Sequence, residues 1–311
     1  MRARSRTWVA VFGLVACHKV ATGTDGQATA QSTSVTTANL RSVWGSGPAD
    51  VWAAGDKGTI LHFNGQAWSR SSSGTEENLT GLTGTGPTNV YASGQDGAIL
   101  HWDGAAWRQV SDGAETTLAH IWASGPEDVW AVGIDNGDEG GYMRHWNGAK
   151  WESQRIPGSS SLWGVGGTGP TDVWMVGSNP KGEGYVIHGD GKHFDGNGYK
   201  GPPARAVWCA RPDDVWVAPY EGALQHWNGT AWAAAPTVDG AWFRMGGSGP
   251  DDFWAAGLNG LTLHFHGGAW TTPATGTNQI VWSVWSPSPT SAWAVGNGGT
   301  LLLWNGVAWV R

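Results

Sequence analysis

A pattern of about 40 residues recurs seven times along the 311-residue chain. The first copy, residues 42–68, reads SVWGSGPADVWAAGDKGTILHFNGQAW, and a proline marks the same point of every copy. Successive prolines lie 39, 39, 44, 42, 38 and 39 residues apart, at Pro48, Pro87, Pro126, Pro170, Pro212, Pro250 and Pro289. A period of this length indicates repeated units that bury their apolar faces against one another.

Each copy contains four short apolar runs. In the first copy the runs are 40–45, 51–55, 59–63 and 67–71, separated by Gly, Pro, Asn and Asp. Such runs are typical of strands joined by tight turns, and no segment has a sustained helical period. The sequence therefore predicts an all-β, seven-bladed β-propeller of four-stranded antiparallel blades. The expected blades are residues 40–78, 79–117, 118–161, 162–203, 204–241, 242–280 and 281–311. Since the last copy ends with its own fourth run, we expect no strand exchange at ring closure; only residues 31–37 offer an extra strand.

Residues 1–16 have the features of a secretory signal peptide: three arginines, then an apolar run over 8–16. Residues 14–17, Leu-Val-Ala-Cys, resemble the lipobox of bacterial lipoproteins, which implies lipidation of Cys17. An ordinary signal peptide with an incidental cysteine is the alternative. His18 follows where inner-membrane lipoproteins have aspartate, so the resemblance implies an exported, outer-membrane lipoprotein on either the periplasmic or the cell-surface face. Residues 17–39 are small and polar, which predicts a flexible tether.

Charge and cysteine content exclude several classes. Without residues 1–16 the chain has 15 basic and 25 acidic residues, a net charge of −10. Nucleic-acid binding needs a positive surface, so it is not expected. If Cys17 is lipidated, Cys209 is left without a second cysteine, so no intrachain disulfide is expected. We expect a monomer that meets the membrane through its lipid anchor alone.

Aromatic residues recur at two positions of each copy. The second-run residues are Trp52, Tyr91, Trp130, Trp174, Trp216, Trp254 and Trp293, and the fourth-run residues are Trp68, Trp107, Trp151, Phe194, Trp232, Trp270 and Trp309. A residue that recurs in every copy has the same structural role seven times. We therefore predict that these rings form the core rather than a sugar-stacking or cofactor site.

Histidine and aspartate also recur. His62, His101, His145, His188, His226 and His264 share one third-run position, which Leu303 takes in the last copy. The apolar replacement and the distance between copies argue against a zinc site, so we predict packing between blades with one ring nitrogen hydrogen-bonded. Asp50, Asn89, Asp128, Asp172, Asp214, Asp252 and Ser291 follow the prolines. Their side chains are expected to close the turns through backbone N–H groups.

Positions that differ between copies are the candidates for a binding site. Seven residues before each proline stand Arg41, Thr80, Ala119, Trp163, Arg205, Phe243 and Trp282; the next positions include His120 and Arg244. We predict a ligand-binding rim formed by Arg41, His120, Trp163, Arg205, Phe243, Arg244 and Trp282. Such a rim suits an anionic or carbohydrate ligand, although the same side chains can simply wedge between blades.

No catalytic residue, cofactor or metal is expected, with one alternative. The second-to-third-run loop of the third copy holds Asp135, Asp138 and Glu139, which offer oxygen ligands for Ca²⁺. Their spacing does not match the D-x-[DN]-x-[DN]-G calcium loop. A solvated loop is therefore the favoured interpretation.

The copies resemble the WD40, YVTN and BNR-like propeller repeats of bacterial lipoproteins and secreted proteins. The Val-Trp and Gly-x-Ile elements, as at Val129-Trp130 and Gly97-Ala98-Ile99, resemble tectonin repeats, which implies sugar binding. Sialidase blades are related, but their Ser-x-Asp-x-Gly-x-Thr-Trp box is absent and no tyrosine–glutamate pair can be placed beside the rim arginines. The main hypothesis is a non-enzymatic recognition module for a surface glycan or a protein partner. A scaffold subunit of an envelope assembly is the first alternative, and a sialidase-like glycoside hydrolase the second.

Overall fold

The computed structural model describes residues 35–111, 116–135, 140–236 and 238–311. They form seven four-stranded antiparallel sheets whose strands follow in chain order. Each copy of the repeat makes one blade, so the predicted seven-bladed β-propeller is confirmed. The predicted signal peptide, Cys17 and residues 17–34 of the tether lie outside the described residues. Within the described ranges, no helix is long and apolar enough to cross a bilayer.

The strands of the first four blades lie close to the predicted runs. Blade one comprises β1 Leu40–Gly47, β2 Asp50–Gly55, β3 Ile60–Phe63 and β4 Trp68–Ser71. Blade two comprises β5 Leu79–Gly86, β6 Asn89–Gly94, β7 Ile99–Trp102 and β8 Trp107–Gln109. Blade three comprises β9 Thr116–Gly125, β10 Asp128–Asp135, β11 Gly141–Trp146 and β12 Trp151–Ile156. Blade four comprises β13 Ser161–Gly169, β14 Asp172–Ser178, β15 Gly184–Gly189 and β16 Phe194–Gly196. Blades three and four thus start one or two residues before the expected positions.

The last three blades have the same order. Blade five comprises β17 Ala204–Arg211, β18 Asp214–Pro219, β19 Gln225–Trp227 and β20 Trp232–Ala234. Blade six comprises β21 Trp242–Gly249, β22 Asp252–Gly257, β23 Thr262–His266 and β24 Ala269–Thr271. Blade seven comprises β25 Val281–Ser288, β26 Ser291–Gly296, β27 Thr300–Trp304 and β28 Trp309–Val310. Short 3₁₀ turns at Gln95–Gly97, Leu258–Gly260 and Asn297–Gly299 join second to third strands.

Aromatic pairs join each blade to the next. The second-strand ring of one blade meets the fourth-strand ring of the following blade edge-on, with centroids 4.9–6.4 Å apart and planes at 66–88°. The pairs are Trp52–Trp107, Tyr91–Trp151, Trp130–Phe194, Trp174–Trp232, Trp216–Trp270, Trp254–Trp309 and Trp293–Trp68. Edge-to-face geometry is the favoured arrangement of aromatic rings. The last pair closes the circle, and the second-strand rings are all buried, as predicted.

The recurring histidines stack within their own blades, whereas packing between blades was predicted. Each lies on the second-strand ring of its own blade, with centroids 3.7–4.4 Å apart, and His264 in addition contacts Trp304 of the next blade at 5.9 Å. Each Nε2 lies 2.6–2.8 Å from the aspartate or asparagine that follows the marker proline. The aspartates therefore chiefly bind histidine, and the expected turn closure is a secondary role. In blade four, for example, the two rings stack because strand pairing places Trp174 of β14 opposite His188 of β15.

Blade four shows the complete network. Asp172 Oδ1 accepts hydrogen bonds from His188 Nε2 at 2.7 Å and Trp174 Nε1 at 3.1 Å. Its Oδ2 accepts from the hydroxyl of Thr168 at 2.6 Å and from the backbone N–H of the same residue at 3.1 Å. Burial acts to raise the pKa of Asp172, but these hydrogen bonds outweigh it and lower the pKa below its ordinary value of 3.8. The pKa values of Asp128 and Asp252 are lowered for the same reasons.

These networks predict acid sensitivity. A carboxylate whose pKa is lower in the folded state stabilises the fold above its unfolded pKa of about 3.9 and loses that effect as the pH falls through the folded pKa. We therefore expect the free energy of unfolding to drop below about pH 4. The double variant Asp172→Ser/His188→Leu, which gives blade four the residues of blade seven, should show a smaller drop, measured by denaturant melts at pH 7, 5 and 3. An unchanged pH dependence in this variant would contradict the assignment.

Residues just before β1 seal the ring. Gly299 N–H in blade seven donates to Ala38 O at 2.9 Å, as Gly58 N–H donates to Glu77 O at 2.8 Å at the next seam. Residues 36–39 thus take the position that connecting loops occupy between other blades. The predicted flexible tether of residues 17–39 is therefore wrong for these residues, which hydrogen bonds hold in place. All four strands of blade seven come from residues 281–310, so among the described residues the sheet is complete without an exchanged strand, as expected.

Candidate binding site at the mouth of the central channel

A cavity of about 200 Å³ opens on the axis of the propeller. Its lining, called the channel mouth below, consists of Arg41, Thr80, Thr117, Ala119, Trp163, Arg205, Phe243, Arg244 and Trp282. All seven residues that precede the marker prolines by seven positions are in this set. Equivalent positions of the first strands converge on the axis. For this reason, counting back from the marker prolines was enough to predict the lining residues.

An arc of stacked side chains runs around half of the channel mouth. Arg205 lies over the ring of Trp163, 4.2 Å from its centroid, and 4.8 Å from that of Tyr220. Tyr220 meets Phe243 edge-on at 6.3 Å, and Phe243 contacts Trp282 at 4.3 Å. These contacts hold the aromatic rings against one another, and Arg205 is part of the cavity lining.

Arg41 ends the arc with its charge already paired. Its guanidinium bonds the carboxylate of Asp56 at 2.5 and 3.3 Å and lies 5.1 Å from the Trp282 ring. Burial acts to raise the pKa of Asp56, but hydrogen bonds from Arg41 and Asn39 lower it on balance. Arg41 is therefore a neutralised element of the wall rather than a free cation.

Arg205 and Arg244 have no carboxylate partner within the described residues. Arg244 reaches across the channel and donates to the carbonyls of Ala119, Trp163 and Phe243. Its buried Nε makes no hydrogen bond in the described part of the chain. Burial, followed by the nearby charge of Arg205, lowers the pKa of Arg244 to about 10. Both groups stay protonated at neutral pH, so the channel mouth concentrates positive charge in an acidic protein.

His120 occupies a deeper position than the other predicted rim residues. Its Nδ1 accepts the backbone N–H of Val165 at 3.3 Å, a bond between blades three and four. Burial, with a smaller effect of Arg244, lowers its pKa well below 6.5. A neutral imidazole is the form that can accept this bond. His120 does not line the cavity, so the geometry gives it a bracing role.

The structure adds Thr80, Thr117 and Ala119 to the cavity lining and places one more aromatic residue beside it. Tyr220, in the loop between β18 and β19, lies beside Arg205 although no tyrosine was expected there. The loop that carries Tyr220 is short, running from the end of β18 at Pro219 to the start of β19 at Gln225, so its length gives no signal in the sequence. The calcium candidates gain no geometry: Asp135 ends β10, and Asp138 and Glu139 lie outside the described residues.

Three side chains that can act as metal ligands lie close together in blade six. Asp252, His264 and His266 place their ligand atoms within 4.8 Å of one another. The comparison of histidines between blades overlooked this group, because two of its members lie on one strand. It is on the side opposite the channel mouth, where β21–β22 and β23–β24 turn.

Solved structures with low sequence identity share the fold. YCF48 bound to D1 peptide matches with 15% identity and a TM-score of 0.65, covering 86% of this chain and 92% of that chain. The Cps50 (Swd1) β-propeller domain of Myceliophteria thermophila matches with 11% identity and a TM-score of 0.66, covering 87% and 97%. The WD40 β-propeller domain of Doa1 matches with 11% identity and a TM-score of 0.67, covering 85% and 91%.

Sequence comparison does not place the chain in a protein family. No protein-family model matches the chain, and no curated protein matches it significantly. At 11–15% identity the structural likeness establishes the fold alone. Function is therefore argued from the channel mouth.

Proposed function

We propose that the protein is a non-enzymatic recognition propeller that binds an acidic group of a protein partner at the channel mouth. The observation that carries this proposal is the pair Arg205 and Arg244, two partly buried cations without a carboxylate partner among the described residues. A carboxylate placed there gains charge-assisted hydrogen bonds. The partner supplies the missing negative charge.

The geometry favours an anion over a neutral sugar. Sugar stacking needs an open aromatic face, but Arg205 covers one face of Trp163, while Phe243 and Arg41 pack on Trp282. The cavity of about 200 Å³ is smaller than common ligand pockets of about 300–1,000 Å³. It suits one Asp or Glu side chain, or a terminal carboxylate, with the rest of the partner lying across the blade tops. The existence of YCF48 bound to D1 peptide supports peptide binding by a propeller of this shape.

Peptide binding tests the proposal. A library of peptides rich in Asp and Glu, with free or amidated C-termini, is measured by fluorescence anisotropy against neutral counterparts. Loss of a charged hydrogen bond costs about 1.5–3 kcal/mol, so Arg205→Gln should weaken binding at least about tenfold. Arg211→Gln is the matched control, because Arg211 lies in the same blade on the opposite face, where it pairs with Asp213 and Asp214. Equal affinity in both variants, or preference for neutral peptides or glycans, would contradict the proposal.

Hydrolysis is not proposed, although Tyr220 beside Arg205 revives one element of a sialidase site. Glycoside hydrolysis commonly uses a pair of carboxylates, or a tyrosine nucleophile with its partner. No carboxylate is among the described residues that line the cavity. Turnover of a sialoside that disappears in Tyr220→Phe would overturn the non-enzymatic assignment.

We further propose that the protein is an exported lipoprotein held to the outer membrane by Cys17. The arginine-rich start, the apolar run and Leu-Val-Ala-Cys at 14–17 support this proposal. The Cys17→Ser variant should lack lipid and leave the detergent phase on phase partitioning, whereas Cys209→Ser should remain there. Detergent partitioning of Cys17→Ser equal to that of the unchanged protein would contradict the anchor.

A further inference from the structure

Blade six departs from the repeat at one turn position, His266. The other blades have Asn64, Asp103, Asn147, Asp190, Asn228 and Asn305 there. Each of those side chains accepts two backbone N–H groups and so closes the turn between third and fourth strands. A histidine cannot reproduce this double acceptor. Blade six therefore gives up a favourable turn in exchange for an imidazole.

That imidazole lies beside the carboxylate of Asp252. Strand pairing sets His266 opposite Asp252, and His266 Nδ1 lies 3.6 Å from Asp252 Oδ1. His264, two residues earlier and so on the same face of β23, has its Nε2 2.8 Å from the same oxygen. The two imidazoles are nearly parallel, at 18° and with centroids 5.6 Å apart.

The carboxylate itself also differs from its counterparts in blades three to five. In blades three to five the indole of the second strand donates to the equivalent Oδ1, from Trp130, Trp174 and Trp216. In blade six the buried indole nitrogen of Trp254 makes no hydrogen bond in the described part of the chain. Asp252 Oδ1 therefore lacks the indole donor of blades three to five, as Asp50 does in blade one, where Trp52 Nε1 also makes no hydrogen bond in the described residues. Its Oδ2 accepts from Ser248 at 2.6 Å and from Ser286 at 3.5 Å.

We propose that Asp252, His264 and His266 bind a divalent transition-metal ion such as Zn²⁺. Two imidazole nitrogens and one carboxylate oxygen are a donor set that Zn²⁺ accepts, with water in the fourth position. Tetrahedral bonds of about 2.1 Å place ligand atoms about 3.4 Å apart. The two separations to Asp252 Oδ1, 2.8 and 3.6 Å, lie on either side of that value, and all three ligand atoms lie within 4.8 Å of one another.

Exposure and protonation fit an entering ion. The side chains of His264 and Asp252 are 7% and 5% exposed, whereas His266 is 57% exposed, so two ligands are fixed and the third opens to solvent. Binding replaces the His264–Asp252 hydrogen bond with two bonds to the metal. The Nε2 proton of His264 then moves to its Nδ1, because a coordinating nitrogen carries no proton.

Calorimetric titration of the untagged, EDTA-treated full chain with Zn²⁺ tests the site. We expect one ion per chain and a Zn²⁺-dependent rise in Tm of several degrees. His266→Asn restores the residue of the other blades, and it should weaken binding at least about tenfold while keeping the metal-free Tm. His264→Leu, which copies Leu303 of blade seven, should weaken it as well.

His193→Asn is the matched control, because His193 is an exposed histidine beside Asp190 with no third ligand in the described residues. Its Zn²⁺ affinity and Tm shift should equal those of the unchanged protein. No binding by the unchanged protein, equal affinity in His266→Asn, or a loss in His193→Asn as large as in His266→Asn would each overturn the proposal.

Discussion

Replacing Trp130 with alanine should lower the free energy of unfolding by about 3–5 kcal/mol. The indole is buried, stacks on His145 at 3.7 Å and meets Phe194 of the next blade edge-on. Its Nε1 also donates to Asp128 at 3.0 Å. Alanine removes these contacts and leaves a cavity that rigid neighbouring strands cannot fill. Guanidinium chloride denaturation, followed by tryptophan fluorescence and circular dichroism, gives the loss.

The control for this variant is Val307→Ala. Val307 is 84% exposed in the turn between β27 and β28, so its loss should change stability by no more than about 0.5 kcal/mol. A Trp130→Ala protein as stable as Val307→Ala would show that the aromatic pairs between blades do not hold the ring.

Removal of residues 1–39 should destabilise the propeller by about 3–5 kcal/mol relative to removal of residues 1–34. The five residues between the two cuts make several hydrogen bonds across the seam, each of which contributes about 0.5–1.5 kcal/mol. Asn39 O accepts from Asp56 N–H at 2.9 Å, and Asn39 Oδ1 accepts from Gly298 N–H at 3.0 Å. Arg70 donates to Thr36 Oγ1 at 3.1 Å.

Thermal and denaturant unfolding of the two shortened proteins measures this contribution. Because only residues 35–39 differ, the comparison isolates the seam from the predicted signal peptide and tether. Hydrogen exchange should also rise at β25–β27 and at β1–β3 and remain unchanged in blade four. Equal stability of the two proteins would mean that the packing of blade one on blade seven, including the pair Trp293–Trp68, closes the ring without residues 35–39.

The fold was predictable because a repeat turns one local pattern into a global constraint. Seven copies of four short runs leave few architectures, and the alternation of Ile60 and Leu61 shows that both faces of a blade are covered. In the structure these two side chains indeed lie in different inter-blade clusters. The same alignment of the copies also predicted the channel mouth, because residues at equivalent positions lie at equivalent distances from the axis.

Contacts between different runs of one copy were harder to predict. The pairing of Asp172 with His188 joins residues 16 positions apart, and each was interpreted alone. A signal was present: the copy that replaces aspartate with Ser291 also replaces histidine with Leu303. Replacing only one partner of a buried hydrogen bond leaves the other unsatisfied, which costs free energy. Replacement of both residues in the same copy therefore indicates that they are hydrogen-bonded to each other.

The directions taken by long side chains were also not predictable from the sequence. Arg244 extends across the channel to carbonyls of blades three and four, and His120 turns to a backbone N–H, although both share one position of the repeat. Position alone does not tell which direction a long side chain takes. Tyr220 was missed for a related reason: it enters the site from a loop rather than from the aligned first strands.

The seam formed by residues 36–39 also determines the face at which the chain enters the propeller. Asn39 bonds Asp56, which in turn bonds Arg41, so the chain enters the propeller on the face that carries the cavity. If Cys17 carries a lipid, as proposed, the attachment and the arginines of the channel mouth share one face of the propeller. A partner anchored in the same membrane would then meet the arginines on the side where the chain is attached.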